Sequence, residues 1–392
     1  MPGAATSAVA PVVIVGSGLA GYAVAREFRK LDKETPLVVL SRDHGGFYSK
    51  PMLSNALAGQ KTAASLLMKP ADKMAVELNA IVRAGVSVEG IDTAGARLTL
   101  ADGEVLPYRD LVLALGADPV RLPLSGDATD AVLSVNDLDD YARFAEALEG
   151  KRSVVILGGG LIGCEFANDL LHRGIAPTVL DVADRPLSRL LPGEAGEWLR
   201  SRLEAAGVTF RLGVAASRAD RGADGGVALA LSDGSTLRAD QVLSAIGLRP
   251  RVAIADTAGL AIGRGIITDR LLATSAPHVY AVGDCAEVAG LNLPYVMPLM
   301  QQSRALAATL CGRPTRVSYP AMPVLVKTPA CPTVVCPPPL GAAGQWRVTS
   351  TDEACEARYV SPEGRLLGFA LLGTATSKKQ ALAAEVPAWF VD

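Results

Sequence analysis

Two glycine-rich loops constrain the fold of this chain more than any other feature. In each, glycines in the pattern G-x-G-x-x-G separate an apolar run from a helical pattern, and a second apolar run follows the helix. The glycines of the two loops are Gly16, Gly18 and Gly21, then Gly158, Gly160 and Gly163. A single copy is weak evidence, but two copies about 142 residues apart, each in a complete strand–helix–strand context, predict two dinucleotide-binding units.

The three glycines of such a loop have separate physical tasks. They allow a tight turn, a close approach of backbone to a pyrophosphate, and close packing of helix on strand. The helix that follows presents free N–H groups and the positive end of its dipole to the phosphates. The first loop, with Ser17, Leu19 and Ala20 between its glycines, is therefore expected to bind one cofactor, and the second loop another.

The residue at the tip of the second strand indicates which dinucleotide binds. Asp181 follows the strand at residues 177–180, where a carboxylate can accept from a ribose 2′-hydroxyl. A phosphate there would need a basic residue, and Arg185 and Arg189 lie farther on, so the second unit is predicted to prefer NADH to NADPH. The first unit has no acid directly at its tip, and either Ser41 or Asp43 could contact the ribose.

The rest of the chain repeats this organisation and then departs from it. Hairpin-like alternations at residues 86–108 and 208–240 predict a small β-excursion in each unit, and an apolar strand ending at Gly116 or Gly247 closes each one. From about residue 321, prolines separate short strand-like runs, and this pattern predicts a small α+β domain. The predicted fold class is α/β, with two Rossmann-like domains and this C-terminal domain. The expected segments are residues 1–116 and 247–320 for the first domain, 117–246 for the second and 321–392 for the third.

Composition excludes several classes of protein. Lys and Arg number 38 and Asp and Glu 40, a balance that argues against a nucleic-acid binder. Residues 9–25 are apolar, but Pro11 and the glycine turn interrupt them, so no membrane insertion is expected. The six cysteines show neither a paired metal pattern nor a dense disulfide framework, which favours reduced thiols, no metal site and a cytoplasmic location.

The separated motifs resemble, in order, those of the FAD-dependent pyridine nucleotide reductases, flavoproteins with two dinucleotide-binding domains and a glutathione-reductase-like architecture. They are the two fingerprints, the junctions at residues 113–117 and 245–250, and the segment 274–284. The resemblance implies FAD at the first fingerprint and NADH at the second. It also implies flavin or nucleotide contacts from residues outside the fingerprints, namely Val88, Gly247, Gly283, Asp284 and Val296.

Details of the motifs indicate a branch of that family. Residues 43–55 lack the C-x4-C pair of the disulfide reductases; Cys331 and Cys336 have that spacing but are better read as packing thiols than as a redox pair. Residues 50–54 resemble the R-P-x-L-S-K segment of flavoprotein ferredoxin reductases, with Lys50 for the arginine and Asn55 for the final lysine. This variant, with residues 163–170, 295–300 and 326–332, is closer to the branch that reduces rubredoxin.

The resemblance implies a catalytic set of Lys50, Glu165 and Lys327 beside the flavin, with a Glu165–Lys50 pair fixing the ring position. The implied reaction passes a hydride from NADH to flavin N5 and then single electrons to rubredoxin. The carrier is expected to dock near the third domain, with Lys378 and Lys379 as a candidate basic patch. The alternatives are a ferredoxin reductase of an oxygenase system, an NADH oxidase of the same fold, or a non-enzymatic flavin redox sensor.

Overall fold

The computed structural model describes residues 9–223 and 225–390. Residues 1–8, 224 and 391–392, which include the beginning of the first predicted segment and the end of the last, lie outside the described part. The strands are β1 Val12–Val15, β2 Leu37–Leu40, β3 Ile81–Arg83, β4 Val88–Asp92, β5 Arg97–Leu100, β6 Val105–Pro107, β7 Asp110–Leu113, β8 Ala117–Pro119, β9 Val132–Leu133, β10 Ser153–Leu157, β11 Ala176–Asp181, β12 Thr209–Leu212, β13 Ala216–Arg221, β14 Val227–Leu231, β15 Thr236–Ala239, β16 Gln241–Ser244, β17 Leu248–Pro250, β18 Ile266–Thr268, β19 Val279–Ala281, β20 Ala286–Val288, β21 Val324–Val326, β22 Thr333–Cys336, β23 Gln345–Ser350, β24 Ala354–Val360 and β25 Leu366–Gly373. The helices are α1 Leu19–Leu31, α2 Ala63–Leu66, α3 Ala71–Leu78, α4 Leu138–Ala147, α5 Leu161–His172, α6 Gly193–Ala205, α7 Ala253–Thr257, α8 Val296–Leu310 and α9 Lys379–Glu385.

The first fingerprint belongs to a parallel five-stranded sheet of order β19-β7-β1-β2-β3. The central strand β1 is buried on both faces, with Val12, Val13 and Ile14 fully inaccessible, as a continuous Val/Ile run requires. Helices α1 and α8 pack against each other. The predicted excursion is the antiparallel meander β4-β5-β6, after which the chain returns to the sheet as β7.

The second fingerprint belongs to another parallel sheet, of order β12-β11-β10-β16-β9. The prediction that residues 208–212 belong to the β-excursion is wrong. Strand β12 pairs parallel with β11 at the edge of the sheet, and β13 supplies the outer strand of the meander β13-β14-β15. Alternation of apolar and polar residues is the same for an edge strand of a parallel sheet and for a hairpin strand, so the pattern alone could not distinguish them.

The C-terminal part forms an antiparallel sheet of order β21-β22-β25-β24-β23, followed by α9. One apolar cluster joins this sheet to the second unit: Cys355, Ala357 and Leu372 pack in the same core as Leu199 and Leu203 of α6. The predicted α/β fold with an additional α+β part is confirmed. The third sheet is thereby fixed beside the second nucleotide-binding unit.

Candidate functional site

A cavity of about 2740 Å³ lies between the two parallel sheets. Both fingerprint loops line it, as do the 3₁₀ helix Lys50–Asn55, the first residues of α8 and residues 320–325 of the C-terminal part. The carboxyl ends of β1 and β10 thus open into one space, the position at which open α/β sheets bind their ligands.

The glycines of the first loop divide between packing and open space. Gly16 has φ +116°, and a Cβ on it would lie 2.2 Å from the Ala114 carbonyl oxygen. A Cβ on Gly21 would lie 1.9 Å from the Gly16 oxygen, so this glycine lets α1 pack against the strand. At Gly18 nothing lies within 4 Å of the added Cβ, and the residue lines the cavity. Space for a ligand is therefore kept at the middle glycine, at the N-terminus of α1.

A polar network joins the first loop to the end of β2. Ser17 Oγ lies 2.6 Å from Ser41 Oγ, and Ser41 Oγ donates to Asp43 Oδ1 at 2.5 Å. Burial would raise the pKa of Asp43, but hydrogen bonds from Ser41 and from the Gly45 N–H, the nearby His44 and a hydrogen bond from Ser17 together outweigh it and lower the pKa below its usual value. The hydroxyls and the carboxylate that sequence reasoning left as alternatives thus form one unit.

The second loop repeats the same division of tasks. A Cβ on Gly163 would lie 1.9 Å from the Gly158 oxygen, whereas a Cβ on Gly160 meets nothing within 4 Å. Asp181 accepts from the Gly159 N–H through Oδ2 and from the Ala183 N–H through Oδ1 at 2.8 Å. Because each carboxylate oxygen can accept a second hydrogen bond, Asp181 can still bind a ribose hydroxyl.

Glu165, on the first turns of α5, is fully buried at the edge of the cavity. Its Oε1 accepts from the Lys327 N–H at 2.9 Å, and its Oε2 accepts from Ser54 Oγ at 2.5 Å and from Lys327 Nζ. The expected Glu165–Lys50 pair is wrong. Lys50 Nζ instead faces Asp284 Oδ2 at 3.9 Å, so Lys327 supplies the cation that a buried carboxylate requires.

Lys50 nevertheless lines the cavity. Burial lowers the pKa of its ammonium, and the charge of Asp284 partly opposes that effect. A cation whose charge is only loosely paired can respond to negative charge that develops in the cavity.

The loop that carries Gly283 and Asp284 is rigidly supported. Gly283 has φ +73°, and its N–H donates to Gln302 Oε1 at 2.8 Å. Gln302 donates in turn to Tyr319 Oη at 2.9 Å, and Asn292 Nδ2 donates to the Asp284 carbonyl at 3.0 Å. These bonds hold the Asp284 side chain at the cavity wall beside the first loop.

Three further predicted site residues, outside the two loops, also line this cavity. Val88 approaches it from the start of β4, Gly247 from the turn before β17, and Val296 from the first position of α8. Val296 is 40% exposed, more than a packing residue needs to be. Among the predicted residues, Gly21, Gly163 and Gly283 are not part of the cavity wall but act by packing behind it.

The cavity has the donors and acceptors that two dinucleotides require. Asn136 Oδ1 and Ser244 Oγ are buried at its wall and have no hydrogen-bond partner within the part of the chain that the structure describes. Unpaired buried polar atoms of this kind are costly without a ligand or water. Together with the open positions at Gly18 and Gly160, they indicate that the residues present fit two bound nucleotides.

Comparisons with known proteins agree with this geometry. Residues 10–308 match the family model described as pyridine nucleotide-disulphide oxidoreductase. The chain belongs to the pyridine nucleotide-disulphide oxidoreductase family. Residues 316–386 match a second model, described as the rubredoxin binding C-terminal domain, so Lys327 comes from the segment with that match.

Relatives and solved structures cover nearly the whole chain. A rubredoxin-NAD(+) reductase from Alcanivorax borkumensis is 53% identical over 378 residues, which are 96% of this chain and 99% of the relative. A rubredoxin-NAD(+) reductase from Acinetobacter baylyi is 47% identical over 95% of this chain and 96% of its own length. The crystal structure of a ferredoxin reductase from Rhodopseudomonas palustris has a TM-score of 0.87 at 28% identity, covering 96% of this chain and 95% of that one.

Sequence reasoning missed how α5 joins the domains of this family member. Asn168 Oδ1 accepts from the Ala330 N–H at 3.0 Å, and Asp169 accepts from the Leu57 and Ala58 N–H groups at 2.8 Å each. With Glu165, these side chains form a polar face at helical spacing on a largely apolar helix, and that spacing is the signal that could have revealed them.

All six cysteines lie in the described part of the chain and are free thiols. Five of them are buried; Cys311 is partly exposed. Burial raises the pKa of every one of these thiols, to about 12 for Cys164 and to about 11 for Cys285, Cys336 and Cys355. Cys331 and Cys336 pack in different apolar clusters, an arrangement that favours packing thiols over a redox pair.

No helix among residues 9–223 and 225–390 is long and apolar enough to cross a membrane. The same residues contain no group of three or more His, Cys, Asp and Glu side chains that could hold a metal ion.

Proposed function

We propose that this chain is an NADH-dependent flavoprotein enzyme that passes electrons through FAD to rubredoxin. One observation carries the proposal. Lys327, from the segment that matches the rubredoxin binding domain, pairs with Glu165, from the helix that follows the second fingerprint, at the wall of the cavity that both fingerprints share. The two nucleotide sites and the carrier-binding segment therefore meet at one point.

The residues of the chain divide the binding of the two nucleotides. The first loop, with Ser17 and Ser41, binds FAD through backbone N–H groups and hydroxyls at the start of α1. The second loop binds NADH at the start of α5, where Asp181 accepts from a ribose hydroxyl and disfavours a 2′-phosphate. Because both loops line one cavity, the two nucleotides would share that space.

Bound FAD supplies the chemistry that links a two-electron donor to a one-electron carrier. The protein supplies position and charge. The Glu165–Lys327 pair lies at the wall of the cavity that both loops line, and Lys50 places a second cation at the same wall. Lys327 is fixed before the reaction by the bonds of its N–H and its Nζ to Glu165, whereas Lys50 is held only by its 3.9 Å ion pair with Asp284.

The carrier is proposed to dock against the third domain beside the cavity. Of the two lysines expected to form a basic patch, Lys378 Nζ is paired with Glu356 Oε2 at 2.6 Å, which reduces its charge for a partner. Lys379, at the start of α9, is exposed. Lys379 is therefore the better candidate for an acidic carrier, and its contribution should weaken with salt.

The proposed domain division is residues 1–116 with 247–320, then 117–246, then 321–392, and the proposed location is the cytoplasm. Heating the protein in the presence of FAD, of NAD and of neither tests the division. We expect each nucleotide to raise the unfolding temperature of its own domain, as read by limited proteolysis.

Anaerobic stopped-flow absorbance tests the function. The yellow protein is mixed with NADH and then with oxidised rubredoxin, and a [2Fe–2S] ferredoxin serves as the comparison carrier. We expect fast bleaching of the flavin and then of rubredoxin, at two rubredoxins per NADH, with slow reduction of ferredoxin. Preference for ferredoxin would move the function to an oxygenase system, and absence of bleaching by NADH would refute the proposal.

A pair of variants tests the docking residue. Lys379→Glu should raise the KM for rubredoxin by about fivefold at low salt and leave flavin reduction unchanged. Lys33→Glu, an equal charge change at an exposed lysine of the first unit, is the matched control and should leave that KM unchanged. Equal effects of the two variants would show a response to net charge alone.

A further inference from the structure

Ser54 makes a hydrogen bond to Glu165 that has no role in the reaction described above. It lies in the 3₁₀ helix Lys50–Asn55, is only 3% exposed and lines the cavity. Its Oγ donates to Glu165 Oε2 at 2.5 Å, within the range of a charge-assisted O–H···O⁻ bond. The two residues are 111 positions apart in sequence, so the bond joins the first and second units.

The bond completes the coordination of a buried carboxylate. Glu165 is fully inaccessible, and Lys327 already donates to it through its backbone N–H and its Nζ. Because Oε2 is shared by Ser54 and Lys327 Nζ, the hydroxyl limits rotation of the carboxylate and thereby fixes where the ammonium lies. Lys327 carries the cation of this group at the cavity wall, and Ser54 acts on it through Glu165.

The backbone that carries Ser54 is itself held in place. Leu53 is buried in the apolar cluster shared with the second unit. The N–H groups of Leu57 and Ala58, three and four residues after Ser54, donate to Asp169 at 2.8 Å each. The hydroxyl therefore cannot follow the carboxylate if the latter moves, and it acts as a fixed stop for the Glu165 side chain.

We propose that Ser54 is a positioning residue for hydride transfer, which sets the orientation of the Glu165–Lys327 pair at the meeting point of the two nucleotide sites. This rests on the proposed function, because it assigns a role within the step in which NADH reduces the flavin. Misplacement of a group at such a site by about 1 Å can cost up to about 100-fold in rate.

The test is anaerobic reduction of the FAD-loaded protein over a range of NADH concentrations, which separates the limiting rate of flavin reduction from the Kd for NADH. Ser54→Ala should lower the limiting rate by about 10-fold, the effect of one lost hydrogen bond to a charged group. The Kd for NADH should change by less than about twofold, because Ser54 is not on the second loop. Ser54→Thr retains the hydroxyl and should restore the limiting rate to within about threefold of the wild type.

A matched control removes a similar bond elsewhere. Ser361, 6% exposed, donates to Glu363 Oε2 at 2.8 Å in the turn between β24 and β25, outside the residues that line the cavity. Ser361→Ala should leave the limiting rate unchanged. An unchanged rate in Ser54→Ala, or an equal loss in Ser54→Ala and Ser54→Thr, would overturn the inference.

A second pair of variants and the wild-type reaction cover the remaining outcomes. If Ser54→Ala does not retain FAD, Ser54→Thr is compared with Ser54→Cys, whose thiol fills the site but is the weaker donor; slower reduction in the cysteine variant supports the inference and equal rates overturn it. Failure of NADH to bleach the wild-type flavin would refute the proposed function instead, so the two failures are distinguishable.

Discussion

Replacing Gly160 by alanine is expected to weaken NADH binding while leaving the fold intact. Gly163→Ala should instead destabilise the fold. The two glycines are three residues apart in the same loop, and their surroundings differ. Gly160 has φ −74° and ψ −171°, which any residue adopts, and nothing lies within 4 Å of a Cβ added there. A Cβ on Gly163 would lie 1.9 Å from a backbone oxygen.

These distances give the expected magnitudes. Gly160 is the N-cap of α5, where alanine is less favourable than glycine, so Gly160→Ala should cost at most about 1 kcal/mol of stability. The methyl group would occupy the space that a pyrophosphate needs, and a loss of about 1.4 kcal/mol raises the Kd for NADH by about 10-fold. At Gly163 the contact is with backbone, which cannot rotate away, so alanine should cost about 3 kcal/mol or more of folding free energy.

The assay pairs thermal unfolding of the FAD-loaded protein with the Kd for NADH from the concentration dependence of flavin reduction. Gly160→Ser is the matched control, since serine is a good N-cap and should recover the stability while NADH binding stays weak. A Kd for Gly160→Ala within about twofold of the wild type would refute the assignment of this space to NADH. Wild-type stability in Gly163→Ala would refute the packing argument.

Three further outcomes are expected. Lys327→Met leaves the buried Glu165 carboxylate without its ammonium and should lower the free energy of unfolding by about 3 kcal/mol, measured by denaturant titration; a loss below about 1 kcal/mol would contradict the importance of the pair. The double variant Asp181→Ala, Val182→Arg should raise the ratio of kcat/KM for NADPH to kcat/KM for NADH by at least about 10-fold, because the exposed Val182 adjoins the carboxylate. An unchanged ratio in steady-state assays would place the ribose elsewhere. Burial raises the pKa of Tyr22 to about 12 from 10.0, so the contribution of Tyr22 to stability should be constant below pH 10 and fall by about 2 to 3 kcal/mol as the pH rises towards 12. Tyr22→Phe should reduce the slope of stability against pH in that range in unfolding titrations, and the same slope in wild type and variant would show that Tyr22 does not cause it.

The sequence predicted what depends on local pattern. The two fingerprint loops, the helices after them and the parallel strands before them follow from glycine spacing and from continuous apolar runs. The partner of Glu165 could not be found in this way, because the choice between Lys50 and Lys327 depends on how the third domain packs on the second. Lys327 lies 162 residues from Glu165 along the chain.

The role of Asp181 shows the same limit at shorter range. Its position predicts a ribose contact, and that contact remains a prediction. Its bond to the Gly159 N–H arises from the fold of the loop, where a parallel strand brings its tip beside the preceding glycine turn. The edge strand β12 was misassigned for a related reason, since its neighbour in the sheet is decided by the crossover through α6 and not by its own residues.

The burial of the thiols affects how readily the enzyme is oxidised during turnover. Were dioxygen to take the electrons of the enzyme in place of the carrier, hydrogen peroxide would form, and peroxide attacks cysteine as the thiolate. All six thiols have a raised pKa and five are enclosed in apolar clusters or strands, so at neutral pH they remain protonated. The cysteines of the chain are thus poor targets for the peroxide of a misdirected turnover.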